Sequence, residues 1–360
     1  MQFNISKIFV LSLVLLLPLV FVGCTNSSSQ PDKETKTSQA IKNTKLTTGE
    51  EKPYIGFVLD TLEEERWYKD KEQFEEKVNE LGGNAKTLAA NGNEEIQLAQ
   101  AELLIEEGVD VLVVVPYNAD AASAIVEMAH ENDTKVISYD RLITNANVDY
   151  YISFDNEKVG ELQAAEIIKH KDEGNFAYVG GAETDNNAVL VRKGAMNVLQ
   201  PLIDQGKINL IYDNFTDGWD PQLAEDNIRS VLNEAGEPIN AVVTANDGMA
   251  GGVINALTES DLAGDTPVSG QDASLRAIQR VVEGTQTMTV YKPINKLASR
   301  AAEIAIQTAN RETVATDTTI DNGMVEVPTI LLDPVTVTSE NIDDTIIKDN
   351  YLTEEEIYEQ

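Results

Sequence analysis

The sequence predicts an α/β protein built as two doubly wound parallel-sheet lobes joined by a hinge of crossover strands. Three observations carry this. Short apolar runs recur from Tyr54 to Tyr291, and helical patterns separate most of them, an alternation that gives parallel sheets with helices on both faces. The strands are also too many for one doubly wound sheet in about 300 residues, so two lobes are expected.

The first 24 residues stand outside this pattern. Lys7 precedes an apolar run, Ile8 to Val22, broken only by Ser12 and Pro18 and closed by Phe21-Val-Gly-Cys24. The run is short for a membrane span and reads as a secretory signal with a lipoprotein-type ending. Cys24 is the only cysteine of the chain. An internal disulfide is therefore excluded, and a lone Cys behind a small residue and an export segment is best used for lipid attachment. Lipoprotein signals usually carry Leu three residues before that Cys, and here Phe21 stands there, leaving an uncleaved anchor or ordinary cleavage nearby as alternatives. A single acylated terminus anchors a protein without spanning the bilayer. Thr25 to about Lys52 is rich in Ser, Thr, Lys, Asn and Gln and reads as a flexible tether.

From Lys52 onward the strand-like runs are 54–59, 109–115, 135–139, 151–154, 176–179, 208–212, 241–244, 267–269 and 287–291. Trp67, Phe74, Val78 and Leu81 follow a helical period ended by Gly82-Gly83; Ile96, Ala99, Leu103 and Leu104 form a second, ended by Gly108; Leu162, Ala165 and Ile168 form a third. Runs 151–154 and 287–291 lack long helices beside them and are expected to be the crossovers between lobes.

With 61 acidic against 27 basic residues, the formal net charge is −34. Such a chain does not bind nucleic acid or an anionic bilayer by charge. No Gly-x-Gly-x-x-Gly follows the first strand, and no His/Cys/Asp cluster has metal-ligand spacing. The two histidines, His130 and His170, sit in surface-like helical stretches, and every candidate acid has a basic or amide neighbour better suited to binding than to proton transfer. Neither an enzyme nor a cofactor is expected.

The candidate site emerges from the strand ends. Lys135-Val-Ile-Ser-Tyr-Asp-Arg141 is a buried strand closed by an acid and a base. In open α/β sheets, ligands bind beyond the carboxyl ends of strands. An Asp that accepts and an Arg that donates suit a ligand made of hydroxyls, although the pair also reads as a strand-end ion pair capping a loop. Other strands end similarly: the first leads to Asp60 and Glu65-Arg66-Trp67, the fifth to Asp185-Asn-Asn187, the sixth to Asp217-Gly-Trp219. The next lead to Asn246-Asp247 and Gly270-Gln-Asp272, and the last to Tyr291-Lys292-Pro293. The only two tryptophans, Trp67 and Trp219, both lie just beyond strands, one in each half. Their faces suit the apolar side of a pyranose ring. Local alternatives stay open. Arg66 could salt-bridge to Glu63 or Glu65, Asn186 could replace Asn187, Asn246 could be a helix N-cap, and Lys292 could pair with a hinge acid.

Longer strings then bring a resemblance. Glu65-Arg-Trp67, Ala90-Asn-Gly-Asn-Glu-Glu95, Tyr139-Asp-Arg141, Tyr151-Ile-Ser-Phe-Asp-Asn-Glu-Lys-Val-Gly-Glu-Leu-Gln163, Asp185-Asn-Asn-Ala188, Ser269-Gly-Gln-Asp272 and above all Gly284-Thr-Gln-Thr-Met-Thr-Val-Tyr-Lys-Pro293 stand out. From about Lys52 to Lys348 the chain resembles the D-xylose-binding proteins of bacterial ABC transport, within the class I periplasmic sugar-binding superfamily. The resemblance implies a periplasmic binding protein-like fold and sugar contacts from Arg66, Asp140, Arg141, Asn187, Asn246, Asp272 and Lys292, with Trp67 and Trp219 as apolar neighbours. Asp60, Asp155 and Asp247 are expected behind them or as caps.

The resulting division is a signal peptide at 1–23, a tether at 24–52, a first lobe at 53–154 plus 291–327, and a second at 155–290 plus 328–348. Residues 349–360 read as an acidic, solvated tail. The expected partners are D-xylose or a related monosaccharide, an ABC transporter permease, and the outer face of the cell membrane through the lipid on Cys24 (the periplasmic side if a second membrane exists). A monomer is expected. A receptor that reports xylose to a membrane histidine kinase is the alternative.

Overall fold

The computed structural model describes residues 52–235 and 238–359. The export segment, Cys24 and the tether up to residue 51 lie outside the described residues. The first stretch runs β1 (Tyr54–Leu59), α1 (Glu65–Glu80), β2 (Asn84–Ala89), α2 (Glu94–Glu106), β3 (Val111–Val114), α3 (Ser123–Glu131), β4 (Lys135–Tyr139) and β5 (Tyr150–Phe154). Then come α4 (Asn156–His170), β6 (Gly174–Val179), α5 (Asn186–Asp204), β7 (Ile208–Asn214), α6 (Pro221–Ala235), β8 (Ala241–Thr244), α7 (Asp247–Glu259) and α8 (Leu275–Glu283). The chain closes with β9 (Thr289–Tyr291), α9 (Ile294–Ala309), β10 (Thr318–Asp321), β11 (Glu326–Leu332), β12 (Val335–Val337) and α10 (Glu354–Tyr358).

Among the described residues the strands form two main sheets, ordered β10-β11-β5-β4-β3-β1-β2 and β7-β6-β8, with β12-β9 as a separate antiparallel pair. Successive side chains of a strand point to opposite faces, and both faces of each sheet are covered. In β1, Ile55, Phe57 and Leu59 join the core beneath α1 and α9, while Tyr54 and Val58 face α2 and α3. In β6, Ala177 and Val179 face α6 and α7, while Phe176 and Tyr178 pack on α4 and α5. This two-sided burial is why these strands read as continuous apolar runs.

The chain crosses between lobes after Phe154, after Tyr291 and after Leu332, and two of these crossings touch, with Asp155 N donating to Leu332 O at 3.1 Å. Four expectations are corrected here. The run ending in Phe154 is itself no crossover: β5 lies between β11 and β4, and the 15-residue α4 follows it. β11 continues past residue 327 to Leu332, because its parallel ladder with β5 ends only at the Leu332–Phe154 pair. The tail is also partly buried. Leu352 and Ile357 are 3% and 2% exposed and pack with Ile278, Tyr291, Val337 and Ile346. Thr353 and Glu356 form a reciprocal capping box at the start of α10, satisfying orphan donors at its N-terminus. Residues 267–269, expected as a strand, contribute only a parallel bridge from Val268 to Val242.

Two helix faces also differ from the predicted periodicity. α2 buries Gln97, Ala101, Leu104 and Ile105, leaving Ile96 and Leu103 exposed. Gln97 turns inward because its amide donates to Val115 O (2.8 Å) and accepts from Tyr117 N (3.0 Å). On α4, Gln163 is fully buried and donates to the carbonyls of Thr244, Ala245 and Gly270 at 3.0–3.1 Å. A buried polar group is tolerated only when paired, and in both helices a glutamine pairs with strand-end backbone.

Candidate functional site

The strand ends of both lobes converge on one cavity of about 30 Å³, and all nine residues expected to contact ligand line it: Arg66, Trp67, Asp140, Arg141, Asn187, Trp219, Asn246, Asp272 and Lys292. Glu64, Asp185 and Gln271 complete the wall. The cavity shares Glu64, Arg66, Trp219, Asn246 and Asp272 with an outer chamber of about 660 Å³.

Each residue is delivered by a local device. Asp140 follows β4 with φ 60° and Asp272 has φ 97°, positive values that turn each side chain away from its strand direction and carry a backbone cost. The Asp140 carbonyl is fixed by Tyr151 Oη (3.1 Å), Ser153 Oγ (2.5 Å) and Asn187 Nδ2 (3.1 Å). Asp185 caps α5 by accepting from Asn187 N at 2.9 Å, so Asn187 enters the cavity from the first helical turn. Asn246 caps α7, its Oδ1 accepting from Met249 N at 2.9 Å. It is thus both a cap and a wall residue.

The cations are held in place by carboxylates. Arg66 lies 3.2 Å from Asp70, 3.3 Å from Asp140 and 3.5 Å from Asp272; its partner on α1 is Asp70, not Glu63 or Glu65. Arg141 donates to Asp60 at 2.5 Å and pairs with Asp185 at 2.8 Å. Lys292 is 3.1 Å from Asp272 and 4.0 Å from Asp140. The Asp140 and Asp272 Oδ1 atoms therefore have ion-pair neighbours, yet neither has a partner in hydrogen-bonding geometry, and Gln271 Oε1 and Trp219 Nε1 also lack one. Buried polar atoms of this kind are normally paired. With Asp185 Oδ2, which likewise has an ion-pair neighbour in Arg141 but no hydrogen-bond partner, four acceptors and a donor on one cavity wall match a ligand that both donates and accepts.

The tryptophans behave differently from each other. Like Trp219, 9% exposed in the second lobe's core cluster, Trp67 is 2% exposed and belongs to the first lobe's core, which corrects the expectation that both stand outside the core. Its Nε1 donates to Glu64 at 2.9 Å, and the guanidinium of Arg66 lies 4.3 Å from its ring centre. That cation–π contact occupies ring face, so Trp67 orients Arg66 while lining the cavity. Trp219 ends a 3₁₀ turn, Asp217–Trp219, and lies against the backbone of Gly181, where a Cβ would come within 2.3 Å of the indole. Only glycine allows that approach, and Trp219 is the wall residue with an unpaired indole donor.

Burial alone would raise the Asp140 carboxyl, but Arg66, Lys292 and Arg141 outweigh it and hold the group below the usual carboxylate value. Burial raises Glu64, Asp70 and Asp185 against the arginines beside them. Behind the wall, Asp247 accepts from Gln286 Nε2 (2.8 Å), Thr289 Oγ1 (3.0 Å) and Ser274 N (3.0 Å). Burial, then the charge of Asp272, push Asp247 up to about 7. An acid whose folded value is raised stabilises fully below its unfolded value and loses that contribution as pH rises through the folded one. Unfolding free energy from urea titrations should therefore fall between about pH 4 and pH 7, with a shallower slope in Asp247→Asn. A flat or rising curve in the wild type contradicts this.

Glu64, Asp185 and Gln271 were not anticipated from sequence. Asp185 and Gln271 adjoin strand-end motifs already singled out, so a rule that included the cap and the neighbour of each polar strand end finds both. Glu64 sits inside a Glu63-Glu64-Glu65 run and carries no such signal.

A two-lobed α/β protein with a polar, charge-balanced cleft at its strand ends is a ligand receptor in architecture, and the comparisons agree. Residues 55–313 match the periplasmic binding protein domain, and the chain belongs to that family. It is 48% identical to the D-xylose-binding periplasmic protein of Escherichia coli K12 over 303 residues, covering 84% of this chain and 92% of that protein. The D-xylose-binding periplasmic protein of Haemophilus influenzae is 46% identical over 304 residues, covering 84% of this chain and 92% of that protein. Among solved structures, a carbohydrate transporter solute binding protein from Chloroflexus aurantiacus in complex with D-glucose superimposes with a TM-score of 0.79 at 30% identity, covering 84% of this chain and 97% of that one.

Proposed function

We propose that this protein binds D-xylose between its lobes and delivers it to an ABC transporter permease from the outer face of the cell membrane, anchored by lipid on Cys24. The convergence of nine strand-end residues on one cavity supports this most, in a chain 48% identical to a D-xylose-binding protein. A pentose brings no charge, so affinity comes from directional hydrogen bonds. Asp140, Asp272 and Gln271 accept from hydroxyls, Arg66, Arg141, Asn187, Asn246 and Lys292 donate, and Trp219 covers the apolar ring face. Each buried group left unpaired costs about 1–3 kcal/mol. A sugar with one hydroxyl inverted, or one extra hydroxymethyl group, is penalised on that scale.

Ligand enters when the lobes part. The contacts to be broken include Asn187 to the Asp140 carbonyl (3.1 Å), Arg141 to Asp185 (2.8 Å), Arg66 to Asp272 (3.5 Å) and Ala119 N to the Thr184 carbonyl (3.0 Å). Hinge closure around ligand is a recognised transition of binding proteins. Calorimetric titration with D-xylose, D-ribose, L-arabinose and D-glucose tests the assignment. Tight saturable binding of xylose, weak binding of the others, and a loss of about tenfold or more in Trp219→Ala are expected. A preference for another of the four sugars removes xylose as the ligand, and silence with all four removes the sugar site.

A further inference from the structure

Resting on the sugar-binding reading above, we propose that Tyr351, in the C-terminal tail, is a positioning residue for the ligand site: its hydroxyl holds the backbone of Asp272 so that the Asp272 carboxylate faces the cavity. The hydroxyl donates to the Asp272 carbonyl at 3.2 Å, while the Asp272 amide donates to Val290 O at 2.8 Å. Asp272 is therefore gripped on one side by β9 and on the other by the tail. The grip matters because Asp272 and Ala273 are consecutive non-glycine residues at positive φ, 97° and 53°. A backbone in that region persists only when its surroundings over-determine it.

Tyr351 is itself anchored in both lobes. Lys69 on α1 donates to its carbonyl at 3.2 Å and sits 4.0 Å from its ring centre. On the other side the ring lies 4.9 Å from Tyr291, the residue before Lys292. Next in the chain, Leu352 and Ile357 are buried beside α8, where Gln279 donates to the Glu356 carbonyl at 3.1 Å. Tyr351 also lines the outer chamber together with Arg66, Asp272 and Ser274. The tail thus connects α1, the Asp272 turn and β9 at the mouth of the cleft. Burial, then the charges of Asp272 and Glu65, hold the phenol well above its usual value, so it remains a donor wherever the protein is folded.

The test is calorimetric titration of D-xylose into the wild type, Tyr351→Phe, Asp272→Asn and the double variant, with hydrogen exchange of residues 272–274 measured in the sugar-free proteins. Tyr358→Phe, which alters an exposed tail hydroxyl, serves as the control. Tyr351→Phe keeps the ring and its packing, and should weaken binding about five- to tenfold. It should add little in the Asp272→Asn background, because the effect passes through that carboxylate. Exchange at 272–274 should quicken in Tyr351→Phe and not in Tyr358→Phe. Equal losses in both backgrounds, or unchanged affinity with unchanged exchange, overturn the proposal. If the wild type binds none of the sugars, the sugar reading fails, and the exchange result alone decides whether Tyr351 positions Asp272.

Discussion

Replacing Asp140 by alanine should weaken D-xylose binding about a hundredfold, an effect of roughly 3 kcal/mol. Two losses add. The unpaired Oδ1 of Asp140 disappears as an acceptor, and a hydrogen bond to a charged group contributes about 1.5–3 kcal/mol. Arg66, 3.3 Å away, and Lys292, 4.0 Å away, also lose a compensating charge in a buried setting, the situation in which removing one partner is most costly. Asp140→Asn keeps the shape and one acceptor, so its loss should be intermediate. A change of less than about threefold in Asp140→Ala would mean that the carboxylate is only a strand-end ion pair.

The second large effect concerns stability. Where α4 and α5 cross, their backbones touch: a Cβ on Gly160 would lie 1.9 Å from the Val191 carbonyl oxygen, and one on Gly194 would lie 1.8 Å from that of Glu157. No rotamer change relieves a clash with backbone, so any side chain there separates the helices. Loss of the second lobe's packing should follow, because Ala164, Ile167, Ala195 and Leu199 share one core cluster with β6. Gly160→Val is expected to cost about 4 kcal/mol or more, lowering the melting temperature by roughly 10 °C. A fall of only about 2 °C would show that the two helices can part without cost.

The fold was legible where burial is two-sided. Lys135–Tyr139 and Ala241–Thr244 were placed to the residue, as short, largely apolar runs packed on both faces. β2 was not, because Asn84–Ala89 lies half-buried at a sheet edge and shows neither a run nor an alternation. The exposed edge strand β10, Thr318–Asp321, was missed for the same reason. Helix faces were misread wherever a glutamine pointed inward, since Gln97 and Gln163 answer to backbone carbonyls that hydropathy does not register. Polar residues at strand ends could be placed together because strand direction aims them at one cleft. Glu64 and the tail residues Tyr351, Leu352 and Ile357 reach their positions through tertiary packing, which has no local signal.

The most direct test of the central claim is a crystal structure of the protein grown with D-xylose. One pyranose should lie against Trp219, with hydroxyls within hydrogen-bonding distance of Asp140 Oδ1 and Asp272 Oδ1 and of at least one of Arg66, Arg141 and Lys292. A sugar bound elsewhere on the surface, or one in the cleft that leaves both carboxylates unpaired, would contradict the account.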